Sequence, residues 1–524
     1  MKNLRRISQG IFLLIFLFLF IQTESKGMDE LGYPVKIFLD FDPLILTTTI
    51  LSAHSAAKAF YLSIFMIILT VLLGRVFCGW ICPLGTLNNI TGSLKKKPDM
   101  QIRDWFRVKY YILIFLLISS VFGLQLAGIM DPLSLLIRSL SVSINPLFNY
   151  STRTFFDAIY NSDMRGIVDI SESVYSVMKK GLLSFQQPFY IQGAFIGFLF
   201  LFILGLNLVE KRFWCRYLCP LGAFLGILSR FSVLKRSVSE GCTSCGACAS
   251  VCQGNASPDK KEEWKDTECY YCWNCDDVCP QNAVSFGFHL PLSTLAKEGI
   301  KGGYASMDLG RRRVIVSMLS GIVAVPLLRS TPVSKQGYSN PSLIRPPGAL
   351  EEKEFLKRCV KCGECMKVCI TNGLQPTLFE AGFEGIWSPL LVPRIGYCEY
   401  RCTLCGQVCP TGAIKRLDLK EKSKIRIGLA MIDKGRCLPH AHAIPCIVCE
   451  EVCPTPKKAI WFDTAKVKDR NGKEITVQQP RVDLELCIGC GICEAKCPVV
   501  DRPAIYVTSI GESRSKINQL LLPY

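Results

Sequence analysis

The stretch "CTSCGACASVC" occupies residues 242–252, and "CYYCWNCDDVCP" occupies residues 269–280. In each, two residues separate successive members of the first three cysteines and three precede the fourth. That spacing lets three thiolates from one loop face one iron-sulfur cubane, while the fourth cysteine reaches a neighbouring cluster. The expected ligand sets are therefore Cys242, Cys245, Cys248 and Cys279 for one [4Fe-4S] cluster, and Cys269, Cys272, Cys275 and Cys252 for the other. Zinc sites pair CxxC units and do not use this quartet.

Four further quartets follow Pro346: Cys359/Cys362/Cys365/Cys369, Cys398/Cys402/Cys405/Cys409, Cys437/Cys446/Cys449/Cys453 and Cys487/Cys490/Cys493/Cys497. They imply four more [4Fe-4S] clusters in two modules, six in all. Spacing does not fix their pairing. A nested arrangement, first quartet with fourth and second with third, is the expectation over a sequential one. The stretched third quartet holds His440 and His442, which are expected to be surface residues.

The 524 residues are too many for one ordinary domain. The 28 cysteines lie in tight clusters of a long chain, which excludes a small disulfide scaffold. There are four histidines, no CxxCH, and no histidine in an apolar run, so haem is not expected. No GxGxxG or Walker loop points to a nucleotide. The net charge of +18 suggests nucleic acid at first sight. Much of the Lys and Arg flanks apolar runs, however, and six clusters at about two net negative charges each would lower the total to roughly +6. No nucleic-acid partner is expected.

Apolar runs at residues 7–23, 59–74, 110–130 and 189–209 read as membrane spans, and a shorter one at 314–328 as an anchor. Lys and Arg are concentrated before the first run, after the second and fourth, and before the fifth, which puts the N-terminus in the cytoplasm and the chain after Leu328 outside. The spans repeat. "FDPLILTTTIL" begins at Phe41 and "MDPLSLLIRSL" at Met130, each opening a helix with Asp as cap and Pro at the first position. Each is followed by a span and then by "CGWICPLG" at 78–85 or "CRYLCPLG" at 215–222. Units repeated in this way meet around an axis along the membrane normal.

Cys78, Cys82, Cys215 and Cys219 are the only cysteines outside the six quartets. Three readings stand for them. The four could surround one metal site, a seventh [4Fe-4S] cluster or zinc. Each pair could be a thiol/disulfide couple on one helical face. Each CPLG could simply start a helix.

At the level of families, the first third, with "RRISQ", the paired CxxxCPLG motifs and the cysteine run that follows, resembles the NapH-type membrane iron-sulfur proteins. The last third resembles the NapG-type ferredoxins, through "LIRPPGALEEKEFLKRCVKCGECMKVC", "GYCEYRCTLCGQVCPTGAI" and "CIGCGICEAKCP". The chain looks like a natural fusion of the two. "GRRRVIVSMLSGIVAVPLL" is similar to a twin-arginine export signal, with Val314-Ile315 where the pattern has Phe-Leu. The expected architecture is a polytopic α-helical membrane domain of four spans in two repeats, plus a fifth anchor span, carrying small α+β ferredoxin-like domains. Its expected parts are residues 1–236 (membrane), 237–290 (cytoplasmic two-cluster ferredoxin), 291–345 (linker and anchor) and 346–524 (periplasmic four-cluster ferredoxin).

The resemblance implies a quinol-oxidising electron-transfer module in the cytoplasmic membrane, feeding a periplasmic reductase or c-type cytochrome. Asp40, Asp42, His54, Lys58 and Asp131 lie near the outer ends of the expected spans and are candidates for taking protons from quinol. Asp42 and Asp131 read equally well as helix caps. Two alternatives use the same motifs: a maturation factor for a periplasmic metalloenzyme, and reverse flow from a cytoplasmic ferredoxin to quinone.

Overall fold

Four short helices begin with the same chemistry. The helix Pro43–Ala53 is capped by Asp42, whose carboxylate accepts the N–H groups of Leu44 and Ile45 at 2.8 and 3.2 Å. The helix Pro132–Ser139 is capped by Asp131, which accepts from Leu133 and Ser134 at 3.1 and 2.8 Å. The helices Pro83–Ser93 and Pro220–Ser229 are capped by the sulfurs of Cys82 and Cys219. In all four, proline at the first position loses no hydrogen bond and presets the backbone for the helix. The Asp-Pro and Cys-Pro starts expected from sequence are therefore all present.

The computed structural model describes all residues except 26–28, 30, 55–60, 95–104, 162–164, 257–263, 289–308, 330–339, 469–471 and 521–524. The chain forms two units. One comprises Met1–Phe20, Val35–Ser139 and Phe195–Pro326; the other comprises Ile21–Pro34, Leu140–Ala194 and Leu327–Tyr524.

In the first unit, one helix among the described residues, Lys2–Gln22, is long and apolar enough to cross a membrane. The other expected spans are shorter or interrupted helices. The run at 59–74 is helical over Tyr61–Leu73, and the run at 110–130 breaks after Val121 into a turn with Gly123 at φ 79°. The run at 189–209 is α-helical over Gly193–Gly205, and the anchor forms the helix Arg311–Arg329. One of these helices is inside out. Tyr61–Leu73 buries Ser63, Met66 and Thr70 while exposing Tyr61, Ile64, Phe65, Ile68 and Leu72. Val108–Val121 buries Lys109, Ser119 and Ser120 together with Tyr110, Leu113 and Leu116. The cysteine loops at 242–279 are braced by an antiparallel pair, β1 (Leu234–Val238) and β2 (Val284–Phe288), running from Leu234↔Phe288 to Val238↔Val284.

The second unit carries the four C-terminal quartets. Three antiparallel two-stranded sheets hold them: β3 (Leu374–Pro376) with β4 (Pro389–Leu391), β5 (Leu429–Ile432) with β8 (Ile505–Thr508), and the hairpin β6 (Ile460–Lys468) with β7 (Glu474–Val482). Strand pairs separated by cysteine loops and single-turn helices are the α+β pattern expected of ferredoxin-type modules.

Candidate metal centres

Three cavities in the second unit are walled by cysteines. One of about 370 Å³ is lined by Cys359, Cys362 and Cys365 with Cys409. A second, of about 420 Å³, is lined by Cys398, Cys402 and Cys405 with Cys369. A third, of about 340 Å³, is lined by Cys487, Cys490 and Cys493 with Cys453. The complementary set, Cys437, Cys446, Cys449 and Cys497, is linked electrostatically: Cys446 and Cys497 both act on Cys437, which in turn acts on Cys449. The pairing is therefore first with second and third with fourth, which corrects the nested expectation. The physical reason is local. The single-turn helix Glu364–Lys367 packs against Leu404–Gln407, and Val448–Glu451 against Ile492–Lys496, so each fourth cysteine crosses to its sequence neighbour.

The loops curl by a shared device. The residues just before and just after the second cysteine are left-handed in four loops: Ser244 and Gly246, Tyr271 and Trp273, Lys361 and Gly363, Gly489 and Gly491. Two reversed residues around one cysteine turn its neighbours' sulfurs toward the same point. Glycine is the low-strain choice there, and Trp273 occupies one such place at φ 54°.

Among the described residues, no three or more His, Cys, Asp or Glu converge to hold a metal ion. A single ion draws its ligand atoms to about 2.3 Å from one centre. A cubane keeps its four thiolates on separate irons and further apart, as a cavity ringed by four cysteines does. Burial pushes the Cys365, Cys405 and Cys493 thiols well above the ordinary range, and the Cys402 thiol up to about 11. Sulfurs so placed are held as thiolates when a cation neutralises them. The donor set fits [4Fe-4S] clusters.

In the first unit, Cys272, Cys252 and Cys275 all act on Cys269, which groups these four as the spacing predicts. The two loops also match in detail. Cys252 Sγ accepts from Ala256 N, and Cys279 Sγ from Ala283 N, both at 3.3 Å.

The two CxxxC stretches are single π turns, Phe77–Ile81 and Trp214–Leu218. Such turns are rare and recur at functional sites. They bring the four remaining cysteines together: Cys78 and Cys215 act on both Cys82 and Cys219, and Cys82 acts on Cys219. Cys82 accepts from Gly85 N at 3.4 Å and Cys219 from Gly222 N at 3.2 Å. Asn88 donates to Cys215 Sγ at 3.5 Å, and Asn207 holds the Asn88 carbonyl at 2.6 Å.

The loop Cys269-Tyr270-Tyr271-Cys272 sits directly on the first π turn. Trp80 Nε1 donates to Tyr271 O at 2.9 Å, and a Cβ on Gly79 would lie 2.5 Å from Tyr270 O. The Tyr270 ring is flanked by the guanidiniums of Arg75 and Arg212 at 4.8 and 5.1 Å. Arg216, between Cys215 and Cys219, donates to Cys252 O at 3.1 Å and to Glu210 at 2.5 Å. The four-thiol site and the cluster loops of Cys252 and Cys269 thus share a wall.

Of the proton-accepting candidates, Asp42 and Asp131 are both buried at the starts of the helices they cap. Asp40 is buried nearby in sequence, and Ser63 Oγ bonds to its backbone carbonyl at 2.7 Å. His54 is exposed at the other end of the helix that Asp42 caps, an 11-residue element about 16 Å long. Lys58 lies outside the described residues. The sequence places the acids at outer span ends and the thiols at cytoplasmic ones. The structure instead packs Pro83–Ser93 against Pro132–Ser139 and Pro220–Ser229 against Pro43–Ala53, and Asp131 acts electrostatically on Cys82.

Sequence reading also counted Arg75, Lys109, Arg212 and Arg216 as cytoplasmic flanking charge. All four are buried. Glu268 receives Lys109 and Tyr110 and lies 3.6 Å from Arg75; Glu210 receives Arg216. A signal existed: "RVFCGWICPLG" and "RFWCRYLCPLG" extend the repeat by an arginine three residues before each first cysteine.

Comparison with known proteins agrees with this geometry. A family described as "4Fe-4S binding domain" matches residues 59–101 and 192–239, the two segments holding the CxxxCPLG motifs, and a second family of the same description matches residues 480–500. The methylamine utilization ferredoxin-type protein MauM of Methylorubrum extorquens is 36% identical over 167 residues, 31% of this chain and 71% of that protein. The ferredoxin-type protein NapG of Escherichia coli is 32% identical over 213 residues, 40% of this chain and 89% of that protein. MauM of Paracoccus denitrificans is 33% identical over 199 residues, 37% of this chain and 82% of that protein. No solved structure matches the chain.

Proposed function

Because the chain belongs to the family of NapG and MauM ferredoxin-type proteins, we propose that it is a membrane-embedded quinol-oxidising module that delivers electrons to a periplasmic reductase or c-type cytochrome. That it is an iron-sulfur electron-transfer protein follows from the family and the [4Fe-4S] matches. The membrane and quinol parts are our reading, with the N-terminal unit taken as NapH-like.

The observation that carries it is one inside-out helix. Tyr61–Leu73 turns serine and threonine inward and a face of Tyr, Ile, Phe and Leu outward. In water that arrangement would leave a large apolar patch exposed. In lipid it is the favourable one, because polar side chains glue helices together and apolar ones meet the acyl chains.

When bound, iron-sulfur clusters carry electrons one at a time. The protein's own contribution is placement. Cysteine quartets in both units supply six clusters. Cys78, Cys82, Cys215 and Cys219 supply a seventh four-thiol metal site, which the convergence of the two matched segments supports. Arg75, Arg212 and Arg216 lay positive charge along the wall between that site and the Cys252/Cys269 cluster. The helix Arg311–Arg329, with three arginines at its start, serves as anchor and export signal for a periplasmic C-terminal domain.

The test is reduction of anaerobically purified protein by a quinol analogue, with iron counted beforehand. About 24 Fe per chain, or 28 with the seventh site, and quinol-driven bleaching of the cluster absorbance are expected. Full iron with no quinol-driven reduction would sink the quinol reading. Arg311→Lys with Arg312→Lys should abolish export of the C-terminal domain, and unchanged export of a cluster-loaded domain would leave the helix as a plain anchor.

A further inference from the structure

A cavity of about 380 Å³ in the second unit has a single cysteine, Cys369, in its wall. Three stretches of chain enclose it: residues 24–25, residues 145 and 184–190, and residues 367–372. The third stretch divides it from a cluster site, because Val368, Cys369 and Ile370 also line the cavity of about 420 Å³ that holds Cys398, Cys402 and Cys405. A molecule in the first cavity is one cysteine ligand away from the second.

The walls are tied together by hydrogen bonds. Tyr190 OH donates to Met366 O at 3.0 Å. Asn372 Nδ2 and Gln375 Nε2 both donate to Phe189 O, at 2.5 and 2.9 Å, and Ile191 N donates to Gln375 Oε1 at 3.2 Å. Lys367 Nζ lies 3.6 Å from Glu24 Oε2, which joins the first stretch to the third.

The lining selects a ligand chemistry. Asn372 is 8% exposed and holds φ at 57°, a left-handed conformation that asparagine tolerates. Its bond from Nδ2 to Phe189 O fixes the orientation of the amide, and Oδ1 is left as a buried acceptor with no hydrogen-bond partner. A buried acceptor without a donor is costly, and an O–H group in the cavity relieves it. At about 30 Å³ per water, the space is far larger than one ordered water fills. An anion is not favoured, because Lys367, the cation of the wall, already faces Glu24. Phe185, Pro188 and Tyr190 add apolar surface, so the site suits a flat, neutral ring that carries hydroxyl groups.

The location fits the same ligand. In the sequence reading, residues 24–25 leave the first apolar run on its outer side, residues 184–190 lead into the fourth from that side, and residues 367–372 follow the anchor. Three stretches expected on one face of the membrane meet around one cavity.

We propose that this cavity binds the head group of a quinol, with one hydroxyl donating to Asn372 Oδ1. The proposal rests on the quinol reading above and gives it a place. A quinol bound here lies against a ligand of the second unit's clusters, with no hydrocarbon core between them.

The test is binding of heptylhydroxyquinoline N-oxide, a quinol analogue whose fluorescence is quenched in a protein site, to the full chain in detergent. Quinol-driven reduction is followed alongside. Wild type should bind the analogue. Asn372→Gly removes the acceptor, suits the left-handed backbone and leaves Gln375 on Phe189 O. Ser184→Leu fills the cavity from a different stretch. Each variant should weaken binding about tenfold or more, while iron content and reduction by dithionite stay as in wild type. In wild type, photolysis of a bound azidoquinone should label residues 184–190 or 367–372. No binding by wild type, or labelling confined to other segments, overturns the proposal whatever the variants do. If wild type binds and is reduced by quinol, but both variants bind as tightly, the cavity is not the site and the quinol reading survives. If the variants weaken binding but quinol does not reduce wild type, the cavity stands as a binding site and the quinol-oxidising reading fails.

Discussion

Replacing Glu268 by glutamine tests the buried ion cluster that seats the Cys269 loop. Glu268 is 1% exposed, and its two cationic neighbours, Arg75 and Lys109, are fully buried. Lys109 donates to Oε2, Tyr110 OH reaches Oε1 at 2.7 Å, and Arg75 stands 3.6 Å from Oε2. Glutamine keeps the shape and the oxygen that Tyr110 needs, and removes only the charge. At 3.6 Å and an effective dielectric of about 20, the lost attraction to Arg75 alone is about 4–5 kcal/mol. Removing one member of a buried ion group costs about 3–5 kcal/mol overall, because its partners stay buried without an anion. We expect Glu268→Gln to lower the apparent unfolding free energy by that amount, followed by cluster absorbance against urea in detergent. The cluster bound next to residue 268 should be lost first, about four Fe per chain. Lys109→Met added to Glu268→Gln removes the stranded ammonium and should restore about half of the loss. A Glu268→Gln protein within about 1 kcal/mol of wild type and carrying full iron would refute the account, and so would a double variant worse than the single one.

Three further outcomes follow. Cys359→Ala and Cys409→Ala should each lose about four Fe, and the double variant still only about four, because both line one cavity; about eight would restore the nested pairing. Gly79→Ala drives a Cβ to 2.5 Å from Tyr270 O and should cost about 1–3 kcal/mol in the same urea assay. Glu352 gives an acid signature. Burial opposes its ionisation, but Arg345 and Arg514 outweigh burial and hold its carboxyl down at about 2. A carboxyl lowered in the folded state stabilises above its unfolded value and loses that contribution as pH falls toward 2. With the side chain 32% exposed, the contribution is discounted to about 1–2 kcal/mol. Glu352→Gln should lose it at pH 7 and match wild type near pH 2.

The local chemistry was legible and the long-range pairing was not. Asp42 and Asp131 read as helix starts, and Cys82 and Cys219 also start helices, one of the three readings open for them, because cap and proline act within three residues. Cys252 is grouped with Cys269, Cys272 and Cys275 by loop spacing alone, which leaves few ways to surround a cubane. Arg75 and Lys109 were misread as flanking charge because their partner Glu268 lies 193 and 159 residues away. The pairing of the C-terminal quartets failed for the same reason: packing between single-turn helices decides it, and their sequences carry no mark of the partner. The π turns left no trace in hydropathy, since one extra residue per turn changes geometry without changing composition.

The duplicated half-sites also set a timetable for synthesis. The first repeat emerges with Cys78 and Cys82, but the residues that complete its thiol set arrive only with Cys215 and Cys219. Until Cys219 has been made, the nascent first unit holds two sulfurs whose matching pair does not yet exist. Any metal loading of a four-thiol site there would therefore wait until nearly half the chain has been translated. A ribosome stalled before residue 215 would leave a product that lacks half of the four-thiol set.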